Sequence, residues 1–155
     1  MKTVLSLLSV MVMIGLTFTS CTERPERIRL IQAIQSSNTN IIVALAKQGA
    51  DLSSPDRTGP RNTPLIWALF EEEFEIANVL LKLGADPNTK NRDGQTVLMR
   101  AVMGGDDNLE LVQLLIQNGA DVNAKDNHRA SALAYARSDP PKPKIIEILR
   151  KAGAK

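Results

Sequence analysis

The sequence predicts an all-α solenoid of about four stacked helix pairs, and three observations carry that prediction. A polar turn recurs: "QGADLSSPD" at Gln48–Asp56, "LGADPNTKN" at Leu83–Asn91, "NGADVNAKD" at Asn118–Asp126, and a shortened "AGAK" at the end. The glycines of that turn, Gly49, Gly84, Gly119 and Gly153, lie 35, 35 and 34 residues apart, and a fixed period of this size marks stacked supersecondary units. Each turn also follows an apolar stretch with helical spacing, as Ile76, Val79, Leu80 and Leu83 illustrate.

Composition agrees and narrows the function. The chain has 155 residues, 43% of them apolar, and its only aromatics are Phe18, Trp67, Phe70, Phe74 and Tyr135. An aromatic-poor mix of Ala, Leu and Ile suits close-packed helices. The 19 Lys and Arg against 17 Asp and Glu leave a net charge of +2, without the concentrated basic face that draws a protein onto nucleic acid.

The first twenty residues read as an address. After Lys2, the apolar run "VLSLLSVMVMIGLTF" (Val4 to Phe18) ends in small residues, the pattern of a secretory signal peptide. The alternative, a membrane span, needs roughly twenty apolar residues, and Ser6, Ser9, Gly15 and Thr17 interrupt this run. Cys21 is the only cysteine, so an internal disulfide is excluded and another use is sought. The stretch "FTSC" ending at Cys21 resembles the lipobox of bacterial lipoproteins. Thr19 and Ser20 fit, whereas Phe18 departs from the usual Leu. The resemblance implies cleavage before Cys21 and acylation of its sulfur, with membrane attachment through that lipid. Ordinary cleavage nearby, leaving a free thiol, is the alternative. Thr22 stands where Asp would imply retention at the inner membrane, so the expected location is the periplasm, on the outer membrane of a Gram-negative host. Residues 22–27, "TERPER", then form a tether reaching about 20 Å when extended.

Four units follow, over residues 28–54, 55–89, 90–124 and 125–155. In each, a shorter first helix precedes the periodic one. "IRLIQAIQSS" is a ragged first copy without a cap residue at Ile28. "NTPLIWALFEEE" opens with Thr63 as N-cap and Pro64 in the first turn, where a missing N–H costs nothing. "QTVLMRAVM" and "ASALAYARS" repeat this with Thr96 and Ser131. Gly ends each second helix in the left-handed conformation, and Asn88 and Asn123 follow as residues tolerant of such angles. The expected core is Leu65, Ala68, Leu80, Leu98, Ala101, Leu114, Leu115, Leu133 and Ile148, with Ala68, Ala101 and Ala136 marking close helix crossings.

The "TPL" opening and "GAD.N" closing resemble the ankyrin repeat, over about Arg27 to Lys155. The resemblance implies antiparallel helix pairs joined by projecting β-hairpin-like loops. It also implies a non-enzymatic module that binds a protein through its loop tips and the concave face of its short helices. Transferred by register, those positions are Arg57, Thr58, Arg61, Phe70 and Glu71, then Arg92, Asp93, Gln95 and Met103, then Asn127, His128 and Ala130. The family's His after "TPL" is replaced by Ile66, Met99 and Ala134.

Other features read as structural. His128 is the only histidine and has no partners for a catalytic or metal set. The run "EEEFE" (Glu71 to Glu75), like Asp106 and Asp107, precedes a second helix, where carboxylates favour the dipole. "DPPKP" is read as a linker, with Pro143 in a first turn, and Trp67 as a core residue. No metal, cofactor, nucleic acid or small-molecule substrate is expected. A narrower alternative is an immunity protein that occludes a toxin acting in the periplasm.

Overall fold

The computed structural model describes residues 25–55, 61–70, 74–105, 108–138 and 140–155. Cys21, Arg57, Thr58, Glu71, Asp106 and Asp107 lie outside them, as does the leader. Among the described residues eight helices form four pairs. They are α1 (Pro25–Gln35) and α2 (Thr39–Lys47), α3 (Pro64–Phe70) and α4 (Phe74–Lys82), α5 (Val97–Met103) and α6 (Leu109–Gln117), and α7 (Ala132–Arg137) and α8 (Pro143–Lys151). First helices pack on first helices and second on second, in two layers. The first-helix layer is the more closely packed, which makes it the inner side of a curved stack.

The recurrent turn has a division of labour. Gly49, Gly84, Gly119 and Gly153 take φ of 84°, 90°, 86° and 90°, so each ends its helix in the left-handed region that a Cβ disfavours. In the second unit Gly84 donates to the carbonyl of Leu81 and Ala85 to that of Leu80, both at 3.0 Å. The same crossed pair recurs at all four helix ends and satisfies their last carbonyls. Ala85 and Ala120 then turn inward and are buried. The Asp that follows closes an Asx turn: Asp86 Oδ1 accepts from the Asn88 N–H and Asp121 Oδ1 from the Asn123 N–H, each at 2.8 Å.

Asn88 and Asn123 do something other than the left-handed role expected of them; neither has a positive φ. Asn88 Oδ1 accepts from the Asp121 N–H at 2.7 Å, and its Nδ2 donates to the Gly119 carbonyl at 3.0 Å. Asn123 repeats both bonds one unit on, with the Lys155 N–H and the Gly153 carbonyl. Ser53, at the same register, only accepts, from the Asp86 N–H. A side-chain amide offers both a donor and an acceptor, so it clamps the next turn, whereas the hydroxyl there makes a single bond.

Thr63, Thr96 and Ser131 cap their helices as the sequence predicts, accepting from the N–H groups of Ile66, Met99 and Ala134. Pro143 occupies the first turn of α8. Leu65, Ala68, Leu80, Leu98, Ala101, Leu115, Leu133 and Ala136 are buried. Leu114 and Ile148, also expected in the core, lie at its margin and are only partly covered. Each sits on a second helix, one face of which meets solvent.

Two expectations are corrected. The first unit opens with its longer helix: α1 has 11 residues and starts at Pro25, so Pro25 to Arg27 belong to it and not to the tether. Arg27 donates through its guanidinium to the Ser54 carbonyl, which ties α1 to the turn beyond α2. The projecting loops are also less sheet-like than a hairpin, because the described residues show one antiparallel bridge, between Lys90 and Thr96.

Candidate protein-docking face

The loops before α5 and α7 share one construction, here called a finger. In the first, Asn91 donates its N–H to the Gln95 carbonyl, and its Oδ1 accepts from the N–H groups of Asp93 and Gln95. In the second, Asp126 sits at the same register, donates to the Ala130 carbonyl and accepts from His128 and Ala130. The two fingers are stapled together. The Asn127 N–H donates to the Asp93 carbonyl, Asn127 Nδ2 to the Arg92 carbonyl, and Lys90 Nζ to the Lys125 carbonyl at 2.7 Å. Backbone acceptors inside a loop gain partners in this way, and the tips become one rigid edge.

Below the tips lies a polar chain within an otherwise apolar stack. The Tyr135 hydroxyl donates to Asp126 Oδ2 and accepts from Gln95 Nε2 at 3.1 Å. Gln95 Nε2 also approaches Met103 Sδ at 3.7 Å, while its Oε1 accepts from Asn91. Asp126 is 6% exposed and Gln95 8%. Burial pushes the Asp126 carboxyl up, but the Tyr135 hydroxyl and the two backbone donors outweigh it and hold the group below its ordinary value. The same bond to Asp126, together with burial, raises the Tyr135 hydroxyl above its ordinary value.

Gln95 is therefore not the exposed contact residue expected from sequence. It points inward because its Nε2 donates to the half-buried Tyr135 hydroxyl and toward the Met103 thioether while its Oε1 accepts from Asn91. Arg61, Arg92, Asp93, Asn127 and His128 are exposed, and Ala130 is half-covered. Met103 is 42% exposed at the end of α5, an apolar side chain beside polar tips. Phe70 ends α3 at the equivalent register. Trp67, Arg100 and Tyr135 lie four residues after their caps on successive first helices, each half-buried. Trp67 packs on the core as expected.

A feature missed in the sequence concerns Arg61 and Arg129, whose φ values are 56° and 63°. Both stand two residues before a cap residue, at the register occupied by Gly94 with φ 75°. The signal was legible: aligning the three caps places these arginines on a glycine position. A Cβ on Gly94 would meet Asn127 Oδ1 at 2.4 Å and the Asn127 backbone nitrogen at 2.8 Å, so the stapled finger has no room for a side chain.

Among the described residues no cluster of three or more His, Cys, Asp or Glu side chains could hold a metal ion, and no helix is long and apolar enough to cross a membrane. The arrangement offers hydrogen bonds, guanidinium groups and an apolar spot for a partner.

A family model described as ankyrin repeats (3 copies) matches residues 6–91 and 83–155. The chain belongs to the ankyrin repeat family. The first match opens inside the apolar run read above as a leader, which lies outside the described residues. No curated protein matches the chain. Ankyrin repeats are in general protein-interaction modules without catalytic machinery.

Proposed function

We propose that this ankyrin repeat chain is a non-enzymatic docking module that grips a protein partner along its finger tips and first-helix layer. It works in the periplasm, held to the outer membrane by acyl chains on Cys21. The observation that carries the docking reading is Met103, an exposed apolar side chain beside the stapled fingers with exposed Arg92, and Arg61 is exposed just before α3. Arg and apolar anchors framed by polar groups are the residue types that dominate binding energy. The anchoring reading is supported by the leader-like apolar run and by the "FTSC" stretch ending at Cys21. Several acyl chains give stable attachment, since each buried CH₂ contributes about 0.8 kcal/mol.

Two experiments test the two halves. Replacing Cys21 with Ser should move the protein from the membrane to the soluble fraction; retention in the membrane contradicts lipid anchoring. Pull-down from periplasmic extract with the wild type and an Arg61/Arg92/Met103 triple alanine variant should lose the partner in the variant. Equal recovery of every captured protein contradicts the docking face. If the captured partner is a secreted toxin whose activity the chain blocks, the narrower immunity reading follows.

A further inference from the structure

The left-handed arginines say more about what the face binds. For an L-residue with a Cβ, that conformation costs roughly 1–2 kcal/mol, and Gly at the same register in Gly94 shows that the loop itself does not call for a side chain there. Arg61 and Arg129 are exposed, and neither guanidinium forms an ion pair among the described residues. Strained non-glycine residues at a binding edge are a sign that their side chains serve the site. Among the described residues of the two stapled fingers, Asp126 is buried and bonded to Tyr135, leaving Asp93 as their exposed acid. Lys125 and Arg92 add exposed positive charge to the same edge.

We infer that the finger edge takes an extended, carboxylate-bearing segment of the partner protein, with Arg61 and Arg129 as its outer clamps and Met103 between them. The inference rests on the docking reading above and names the partner's chemistry. Arg61 and Arg129 belong to units two apart, and helices pack about 8–10 Å from axis to axis, so the two clamps stand roughly 20 Å apart. An extended chain rises about 3.3 Å per residue. The segment accordingly carries acidic residues about six positions apart, with an apolar residue between them to meet Met103. Arg forks match carboxylates in two parallel bonds. A nucleic acid is the poorer match, since its phosphates form a continuous line whereas this edge alternates Arg with Asp93 and an apolar side chain.

The test uses the full chain, isotopically labelled, with a nine-residue peptide carrying paired Asp at each end and Leu at its centre. A second peptide has Lys in place of each Asp. The acidic peptide should shift the amide signals of residues 92–94 and 127–129 and bind at least tenfold more tightly than its Lys counterpart. Arg61→Gly with Arg129→Gly removes both charges at positions where Gly is the easier residue, so the fold is not lowered in stability, yet acidic-peptide affinity should fall at least tenfold. Lys144→Glu, on the outer layer, should leave it unchanged. Equal shifts from both peptides, or full affinity in the double Gly variant, overturn the acidic assignment while leaving the docking face in place. A duplex DNA that displaces the acidic peptide from the fingers also overturns it. Shifts confined to α4, α6 and α8 with either peptide contradict the docking face itself.

Discussion

Gly119 and Gly94 both carry positive φ, yet for a substitution they are different sites. A Cβ on Gly119 meets nothing within 4 Å, so Gly119→Ala pays only for its backbone angle, about 1–2 kcal/mol, and Gly119→Val costs more because a β-branched residue resists that angle further. At Gly94 the same Cβ would press on Asn127, the residue that staples one finger to the next. Urea titration should therefore find Gly94→Ala more costly than Gly119→Ala by 1 kcal/mol or more, an order-of-magnitude expectation from overpacking. Equal losses would mean that Asn127 moves aside freely. The turn glycines were legible because their period and their place after apolar runs point to one conformation. Arg61 and Arg129 are harder to read, since nothing about Arg itself announces a left-handed angle; the signal lies only in aligning the caps, which sets both against Gly94.

The finger before α7 is tied to its helix by the bond from the Tyr135 hydroxyl to Asp126. Tyr135→Phe leaves the Asp126 carboxylate without its hydroxyl donor, and such a loss costs about 1–3 kcal/mol. The pH dependence has a definite sign. Because the folded state holds Asp126 below the ordinary value of 3.8, its contribution is fully present above that value and is lost as the pH falls through the lower, folded one. Asp51 acts the same way, held down mainly by the Ser54 hydroxyl and then by the Ser53 N–H. Thermal midpoints should stay level from pH 7 to 5 and drop below about pH 4. In Tyr135→Phe the folded-state value rises toward the ordinary one, because burial then weighs more against the charged form. The mutant therefore starts from a lower midpoint, and its drop below about pH 4 should be shallower. A mutant curve parallel to wild type across the range would separate Tyr135 from that carboxylate. At this scale the caps and helix ends could be read in advance, since each needs only local chemistry. The inward turn of Gln95 could not, because it depends on a hydroxyl 40 positions later in the chain.

Stacking makes the whole molecule a row in which each unit is covered by its neighbours. The turns of successive units are joined by Ser53, Asn88 and Asn123. Asn88→Ala removes two exposed bonds across one junction, each contributing about 1 kcal/mol or less once exchange with water is included. Hydrogen exchange should then report weakened protection on both sides of that junction and less change in α1 and α2; uniform loss throughout would indicate one indivisible cooperative unit instead of a row. The same row produces the docking edge, since only adjacent fingers can staple one another and only a curved stack places Met103 behind them. Photo-crosslinking tests that claim most directly. A photoreactive residue placed at Met103 should capture the partner from periplasmic extract, while one at Gln113, exposed on α6 in the outer layer, should not. Capture from Gln113 with none from Met103 would put the partner on the opposite side and contradict the docking face.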